Sequence, residues 1–349
     1  MRKTQLKAEN TIEIVHQDIP EIGENEVLIR SIACGICGSD LHAYNFSAGY
    51  EFVAKNVTLG HEVSGEIVKI GAKVPNELMY RQVVAQSMNY CSKCEACENG
   101  HFSLCTNNRV LGLHFDGGLA EYFKIDAKYV ELLPEGIDVE IALLAEPLTI
   151  AVHAINRLQI DLKGKTVLVQ GPGIIGFFVS ILCVSKGANT YLSGLPHDYE
   201  KRLSKAESWG VKSHVVGETD MEEKVDVIFE CSGSSNALLM NTKVLKKNGK
   251  IMLVALYEHP TEVFFTPVVR NEWSIIPSYG SDPNEYKEAL QFIQKHQEEL
   301  KALPTYYDLE NITQAFTDSL NKQVMKAIIK IGSVEENNNE YFNTTISAN

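Results

Sequence analysis

Four cysteines, Cys91, Cys94, Cys97 and Cys105, stand in the pattern C-x2-C-x2-C-x7-C. Four thiolates this close in sequence can close a tetrahedron around one Zn2+ and leave no position open, which marks a structural rather than a reactive site. Soft sulfur donors with no imidazole among them favour zinc over a hard cation, with an iron–sulfur cluster or free thiols as the alternatives. A second set of metal-type side chains is dispersed. Cys37 lies in GICGSDLH, His61 and Glu62 in LGHEVSG, and Glu146 in EPL. One thiolate, one imidazole and carboxylates suit a zinc that keeps a position for water or substrate. No spacing rule joins these four, and each has a plain alternative: Cys37 as a small buried apolar group, His61 as a turn histidine.

Gly171-Pro172-Gly173-Ile174-Ile175-Gly176 matches G-x-G-x-x-G, and it follows a strand-like TVLVQ and opens an apolar helical stretch, the context that motif requires. Gly171 permits a tight turn, and Gly173 lets backbone approach a pyrophosphate. Gly176 lets the helix pack on the strand with its N-terminus toward the phosphates. The alternative is a plain strand–turn–helix corner. An acid about 20 residues on, closing the second strand, would hold the ribose of NAD. That strand reads NTYLSG, the expected position holds Gly194 or Leu195, and the first acid is Asp198, after an apparent two-residue insertion. The missing charge, with His197, Lys201 and Arg202 nearby, favours NADP(H) over NAD, unless Asp198 reaches back to the ribose.

The elements that must position these residues fall into two textures. At 349 residues the chain exceeds what one hydrophobic core usually serves. Up to about Ala127, short alternating runs such as EVLIRSIACG and EVSGEIVKIG predict an antiparallel, barrel-like domain. From about Lys165 to Gly280, strands alternate with helices, which predicts a doubly wound parallel sheet. A polar helix, an amphipathic helix and a closing strand, MKAIIKI, follow. The expected map is a mostly-β catalytic domain from 1–156 and 301–349, with 333–349 as a loosely ordered tail, and a Rossmann dinucleotide domain over 157–300.

A net charge of −13 disfavours nucleic acid and anionic membranes as partners. It also speaks against reading the cysteine lobe as an RNA-gripping knuckle. The first residues carry no apolar leader, and the most apolar stretch, Ile174 to Val184, is about half of the ~20 residues a bilayer needs. A reducing, cytoplasmic home is expected. In that compartment eight cysteines are not a disulfide framework.

GICGSDLHAY, LGHEVSG, the four-cysteine lobe, DGGLAEY, EPLTIAVHA and GPGIIG follow one another in this order. From Ile12 to Ile331 the chain resembles the zinc-containing medium-chain alcohol and polyol dehydrogenases, in the branch holding sorbitol, threonine and galactitol-phosphate dehydrogenases. The resemblance implies a GroES-like barrel beside the Rossmann sheet and two zinc ions per subunit. The catalytic one would sit on Cys37, His61, Glu62 (a ligand or close neighbour) and an exchangeable Glu146; the structural one would sit on the four cysteines. It implies hydride transfer between a secondary alcohol of polyol type and NAD(P), the zinc lowering the pKa of the hydroxyl. Ser39 would be the first hydroxyl of a proton path and His42 its exit base, with Asp40 orienting His61. Helix capping by Ser39 and Asp40, and a plain surface role for His42, are the alternatives. The carboxylate of EPL, in place of a cysteine, points to the polyol and threonine branch. The family also implies a homodimer or homotetramer. Two family features are altered: Tyr80-Arg81 replaces a usual Gly-Asp, and Ala255 a usual glycine.

Tyr44, Phe46, His114, Phe115, Tyr257 and Tyr279 are candidates for the substrate wall, with a place in the core as the alternative for several of them. An alcohol or ketone is the expected partner. Threonine or a polyol phosphate is the alternative, and a phosphate or carboxylate would need a cation such as Arg109 or Arg270. A non-catalytic dinucleotide-binding protein is a third reading, one that would tolerate loss of the open metal site.

Overall fold

A computed structural model describes residues 1–332 except 220 and 222, without the side chains of 238–241. The tail over 333–349 lies outside the described residues. The chain opens with a hairpin, β1 (Arg2–Ala8) and β2 (Thr11–His16). Next come β3 (Glu26–Gly35), the short helix α1 (Gly38–Tyr44), β4 (Glu62–Ile70) and β5 (Gln82–Ala85). The cysteine lobe holds β6 (Met88–Asn89), α2 (Glu95–Glu98) and β7 (Arg109–Val110). β8 (Tyr122–Asp126), β9 (Val130–Leu132) and α3 (Val139–Ala142) lead to α4 (Ala145–Leu158), a long buried helix.

From β10 (Thr166–Gln170) the texture changes. α5 (Ile174–Ser185), β11 (Asn189–Gly194), α6 (Ser204–Glu207), β12 (Lys212–Val215), β13 (Val225–Glu230), α7 (Ser235–Met240), β14 (Leu245–Leu253), α8 (Phe265–Arg270) and β15 (Ser274–Pro277) alternate. They build a six-stranded, wholly parallel sheet in the order β12-β11-β10-β13-β14-β15, the doubly wound order of a Rossmann fold. Its central strand TVLVQ is buried at every residue, because a parallel strand covered on both faces must be apolar throughout.

The chain then returns to the first lobe through α9 (Glu285–Leu300), β16 (Pro304–Asp308), α10 (Ile312–Leu320) and β17 (Lys326–Lys330). β17 pairs antiparallel with β3, inside a seven-stranded sheet of order β16-β17-β3-β4-β5-β9 in which β8 also joins β3. The two lobes share packing. The core beneath the parallel sheet runs on through α4 to Ile32, Ala33, Val84 and Ile328 of the first lobe. Among the described residues no helix is long and apolar enough to cross a membrane.

Two expectations change in detail. The charged helix predicted from Tyr199 becomes a wide, π-type turn over Tyr199–Leu203 before α6 begins. Tyr80, standing where glycine was expected, keeps the turn by taking a left-handed φ of 61° itself. That conformation costs an L-residue about 1–2 kcal/mol.

Candidate active site

Strand β3 ends at Gly35, and two residues later α1 begins, with Cys37 as its N-cap. Asp40, fully buried, sits at the third position of that helix. Its carboxylate accepts hydrogen bonds from the Cys37 amide (2.9 Å) and the Gly60 amide (3.1 Å) and lies 3.6 Å from His61 Nδ1. One side chain thus caps the helix and stands beside the imidazole. His61 and Glu62, at the start of β4, come against Cys37. The ligand atoms of Cys37, His61 and Glu62 lie within 4.8 Å of one another. Ser39 Oγ is 3.3 Å from His61 Nε2, and His61 Nδ1 has no partner within hydrogen-bond distance. Glu146, buried in the first turn of α4, is outside that compact group. It lies close enough to His61, Glu62 and Lys326 to interact with each electrostatically.

Lys326 escaped the sequence reading. It opens β17, is 2% exposed, donates 2.5 Å to Glu62 Oε1 and 3.0 Å to the Ile36 carbonyl, and also contacts Glu62 Oε2. Burial works against its charge, but Glu62, Cys37 and Glu146 together outweigh it and hold its pKa above the usual value. The same contest raises His61 well above the usual imidazole value: burial opposes the charge, and Asp40 and Cys37 overcome it. For Asp40, burial is outweighed by His61 and the two amides, and its pKa falls. Glu146 is raised, first by burial and then by Glu62.

The four-cysteine set closes as its spacing predicts, with ligand atoms within 4.8 Å of one another. Cys94 Sγ is 3.5 Å from Cys97 Sγ and 3.9 Å from Cys105 Sγ. Sulfurs about 2.3 Å from a tetrahedral ion stand about 3.8 Å apart, so the donor set fits zinc. Amide donors from Cys97 and Thr106 draw the Cys94 thiol down to about 5, which favours the thiolate a metal needs.

The glycine loop joins β10 to α5 at the point where the chain switches between the two halves of the parallel sheet, the position at which dinucleotides bind. Gly171 holds φ +94°, and a Cβ there would lie 2.7 Å from the Ser232 Cα; one on Gly176 would lie 1.9 Å from the Gly171 carbonyl oxygen. Gly173, the N-cap of α5, meets nothing closer than Arg202 Nη1 at 3.9 Å, which leaves a cradle for a phosphate. Pro172 packs toward Gly194, where a Cβ would meet its Cγ at 2.8 Å; Ile174 and Ile175, partly buried, pack on the core as α5 begins. Arg202 also donates to the Val324 carbonyl at 3.2 Å and lies 3.8 Å from Asp198, tying the loop to the first lobe. Asp198 turns its carboxylate to the Leu195 amide at 3.0 Å.

His42, half-buried, stacks on Tyr50 at 5.1 Å between ring centroids, and its Nδ1 is 3.4 Å from Ser47 Oγ and 3.1 Å from Glu258 Oε1. Tyr50 was not anticipated. Burial above all, with the nearby Cys37 and Tyr279, pushes its hydroxyl up to about 12. It begins a ladder of stacked rings that continues through Phe52 to His114. Of the anticipated wall aromatics, Tyr44 is instead a core residue. It is 5% exposed, packs on Phe316, and donates its hydroxyl to the Asn10 carbonyl at 2.7 Å. Phe46 is exposed, and Phe115 lies under the Arg109 guanidinium at 5.1 Å. Arg109 also donates to the His114 carbonyl, so it is engaged locally. A third cluster, His153, Asp282 and Glu285, is satisfied internally. Glu285 lies 3.0 Å from His153 Nδ1 and accepts from Asn156 and the Asp282 amide, a brace between α4 and α9.

Comparison with known proteins adds the family. Residues 23–135 match the alcohol dehydrogenase GroES-like domain, and residues 175–295 the zinc-binding dehydrogenase domain. A sorbitol dehydrogenase of Halalkalibacterium halodurans is 32% identical over 323 residues, covering 89% of this chain and 93% of the relative. An L-threonine 3-dehydrogenase of Pyrococcus abyssi is 32% identical over 277 residues, 74% of this chain and 76% of the relative. Among solved structures, an alcohol dehydrogenase of Escherichia coli CFT073 complexed with NADH superposes with a TM-score of 0.86 at 25% identity, covering 95% of this chain and 99% of that one. Two matched domains, a relative 32% identical over 89% of this chain and a shared fold agree: the chain belongs to the zinc-dependent medium-chain dehydrogenases.

Proposed function

We propose that this protein oxidises a polyol-like secondary alcohol, or reduces the matching ketone, with a nicotinamide dinucleotide. The observation that carries the reading is the meeting of Cys37, His61 and Glu62 within 4.8 Å, with Ser39 Oγ 3.3 Å from His61. This donor set suits a zinc ion with an open position, and Glu146 is the exchangeable fourth candidate. Cys91, Cys94, Cys97 and Cys105, whose ligand atoms lie within 4.8 Å of one another, would hold the second, structural zinc.

When bound, zinc supplies Lewis acidity toward the alcohol oxygen, and the dinucleotide accepts the hydride. The chain's own residues do the rest. Asp40, 3.6 Å from Nδ1, orients the His61 ring, Lys326 is the buried ion-pair partner of Glu62, and Ser39 is placed to receive the alcohol's proton. His42, one turn further along α1, passes that proton outward. Gly171 to Gly176, with Pro172, Ile174 and Ile175, seat the pyrophosphate. Gly194 and Arg202 flank the adenosine side, where His197, Lys201 and Arg202 favour NADP(H).

The polyol class follows the sorbitol dehydrogenase relative and the polar-tipped aromatics Tyr50 and Tyr279 beside the site. Initial rates with a panel of hexitols, pentitols, 2,3-butanediol, L-threonine and a polyol phosphate, each with NAD and NADP, test it. The best kcat/KM is expected on an unphosphorylated polyol. Preference for threonine would move the protein to the amino-acid branch, and no turnover on any member with both metals loaded would abolish the reading.

The two-lobe division, 1–156 with the segment from 301 and 157–300 between, belongs to the same proposal, as does a cytoplasmic home, supported by eight free cysteines. A homodimer or homotetramer is proposed through the open edge of the parallel sheet. There β15 is the last strand, and Val269 and Phe265 of α8 with Ile275 of β15 stand exposed. Ile275→Lys combined with Val269→Asp is expected to shift the mass in multi-angle light scattering to 38.8 kDa. An unchanged assembly would place the interface elsewhere.

A further inference from the structure

The loop after β14 reaches across the cleft to the proposed proton path, and the side chain that anchors it is buried. Glu230, the last residue of β13, is fully buried, and among the described residues it has no ion-pair partner. Its carboxylate accepts from the Ser232 amide (2.8 Å), the Gly233 amide (3.2 Å) and the Tyr257 hydroxyl (2.7 Å), and it contacts the Ser232 hydroxyl. Its backbone carbonyl accepts from the amides of Val254 (2.9 Å) and Ala255 (3.1 Å). The stretch from Val254 to Tyr257 is thereby pinned to the mouth of the parallel sheet, and the next residue is Glu258. Its Oε1 lies 3.1 Å from Nδ1 of His42, on α1 of the other lobe. The His42 ring stacks on Tyr50 with 26° between the planes, and of the two oxygens at its Nδ1, Glu258 Oε1 at 3.1 Å is nearer than Ser47 Oγ at 3.4 Å.

We propose that Glu258 is the outlet of the proton path: it takes the proton from His42 Nδ1 and delivers it to bulk water. This rests on the reading of His42 as the exit base. Exposure rises along the route, from a buried His61 beside Ser39, to 31% for the His42 side chain, to 56% for Glu258. In alcohol oxidation the electron pair leaves as hydride to the nicotinamide, and the hydroxyl proton leaves through Ser39 and His42. As His42 loses a proton from Nδ1, Glu258 Oε1 gains it. Release to water returns Glu258 to its starting state; His42, left protonated on its other ring nitrogen, regains its first tautomer by giving that proton to water and taking one at Nδ1, so no other reactant is needed. Because α1 and the 254–258 stretch belong to different lobes, the path is complete only when the cleft brings them together.

Glu258→Ala and Glu258→Gln, with His42→Ala alone and in combination, test this in the zinc-loaded enzyme at low and high buffer concentration. The Glu258 variants are expected to lose about tenfold in kcat at low buffer, with KM for the alcohol unchanged. Added formate, a small carboxylate that can stand in for the missing one, is expected to restore most of that loss in Glu258→Ala. The double variant is expected to be no slower than His42→Ala. Wild-type kcat without buffer dependence in both Glu258 variants, while His42→Ala is slow, would overturn the outlet alone. A slow Glu258→Ala that formate does not rescue would show that the residue only holds its loop, and would overturn it equally. If His42→Ala is also as fast as wild type, the exit-base reading falls with it.

Discussion

Cys37→Ser is expected to lower bound zinc from near two per subunit to near one and to cut kcat/KM by about 10^3 or more, while the fold and the four-cysteine zinc remain. The geometry separates the two outcomes. Cys37 belongs to the open group with His61 and Glu62, and the lobe cysteines form their own cluster. A Lewis acid that stabilises developing charge by several kcal/mol is lost with the first site, and about 4 kcal/mol corresponds to roughly 10^3 in rate. Elemental analysis with steady-state kinetics on the same preparation decides the matter. One zinc in both proteins would mean that the open site is not loaded. Two zincs in both would mean that Cys37 is not needed to hold the metal.

The second large effect concerns stability. Lys326→Met is expected to destabilise the protein by about 3–5 kcal/mol in urea unfolding, because it strands a buried carboxylate. Glu62 has no exposed surface, and Lys326 is its cationic partner at 2.5 Å. Combining Lys326→Met with Glu62→Gln should recover much of the loss, since the penalty comes from the unpaired charge and not from either side chain alone. A single-variant effect below about 1 kcal/mol would mean that the pair is solvated or that the bound metal neutralises Glu62 unaided.

What the sequence made legible was local. The four cysteines span 15 positions and the glycine loop six, so spacing alone carries their geometry. The parallel sheet was readable because strands buried on both faces are apolar throughout, as in TVLVQ. The open metal group was readable through the motifs of a family, not through spacing, since α1 and the long loop after it separate Cys37 from His61. Lys326 was not legible. MKAIIKI reads as a strand with a solvated lysine, and nothing near it announces a carboxylate 264 residues away. Glu230 and Glu258 were hidden for the same reason: an acid at the end of a strand or in a loop reads as surface until tertiary contacts give it a partner. Tyr44 erred in the opposite direction. An aromatic beside a reactive motif looked like pocket, yet α1 turns it inward onto Phe316. The reach of Arg202 was not legible either: the widened turn after Asp198 carries it to both the glycine loop and Val324.

The placement of β17 sets an order on how the molecule can be made. Residues 326–330 lie against β3, near the beginning of the chain, although the whole parallel sheet is encoded between them. During synthesis at roughly 5–20 residues per second, the 264 positions from Glu62 to Lys326 take on the order of 13–50 s to emerge. Throughout that interval the early strands present an unfilled edge and a carboxylate awaiting its ammonium, while the dinucleotide half can already fold. Productive catalyst therefore arises by the late arrival of one short strand, and the nascent barrel is the part most exposed to chaperones and to mispairing.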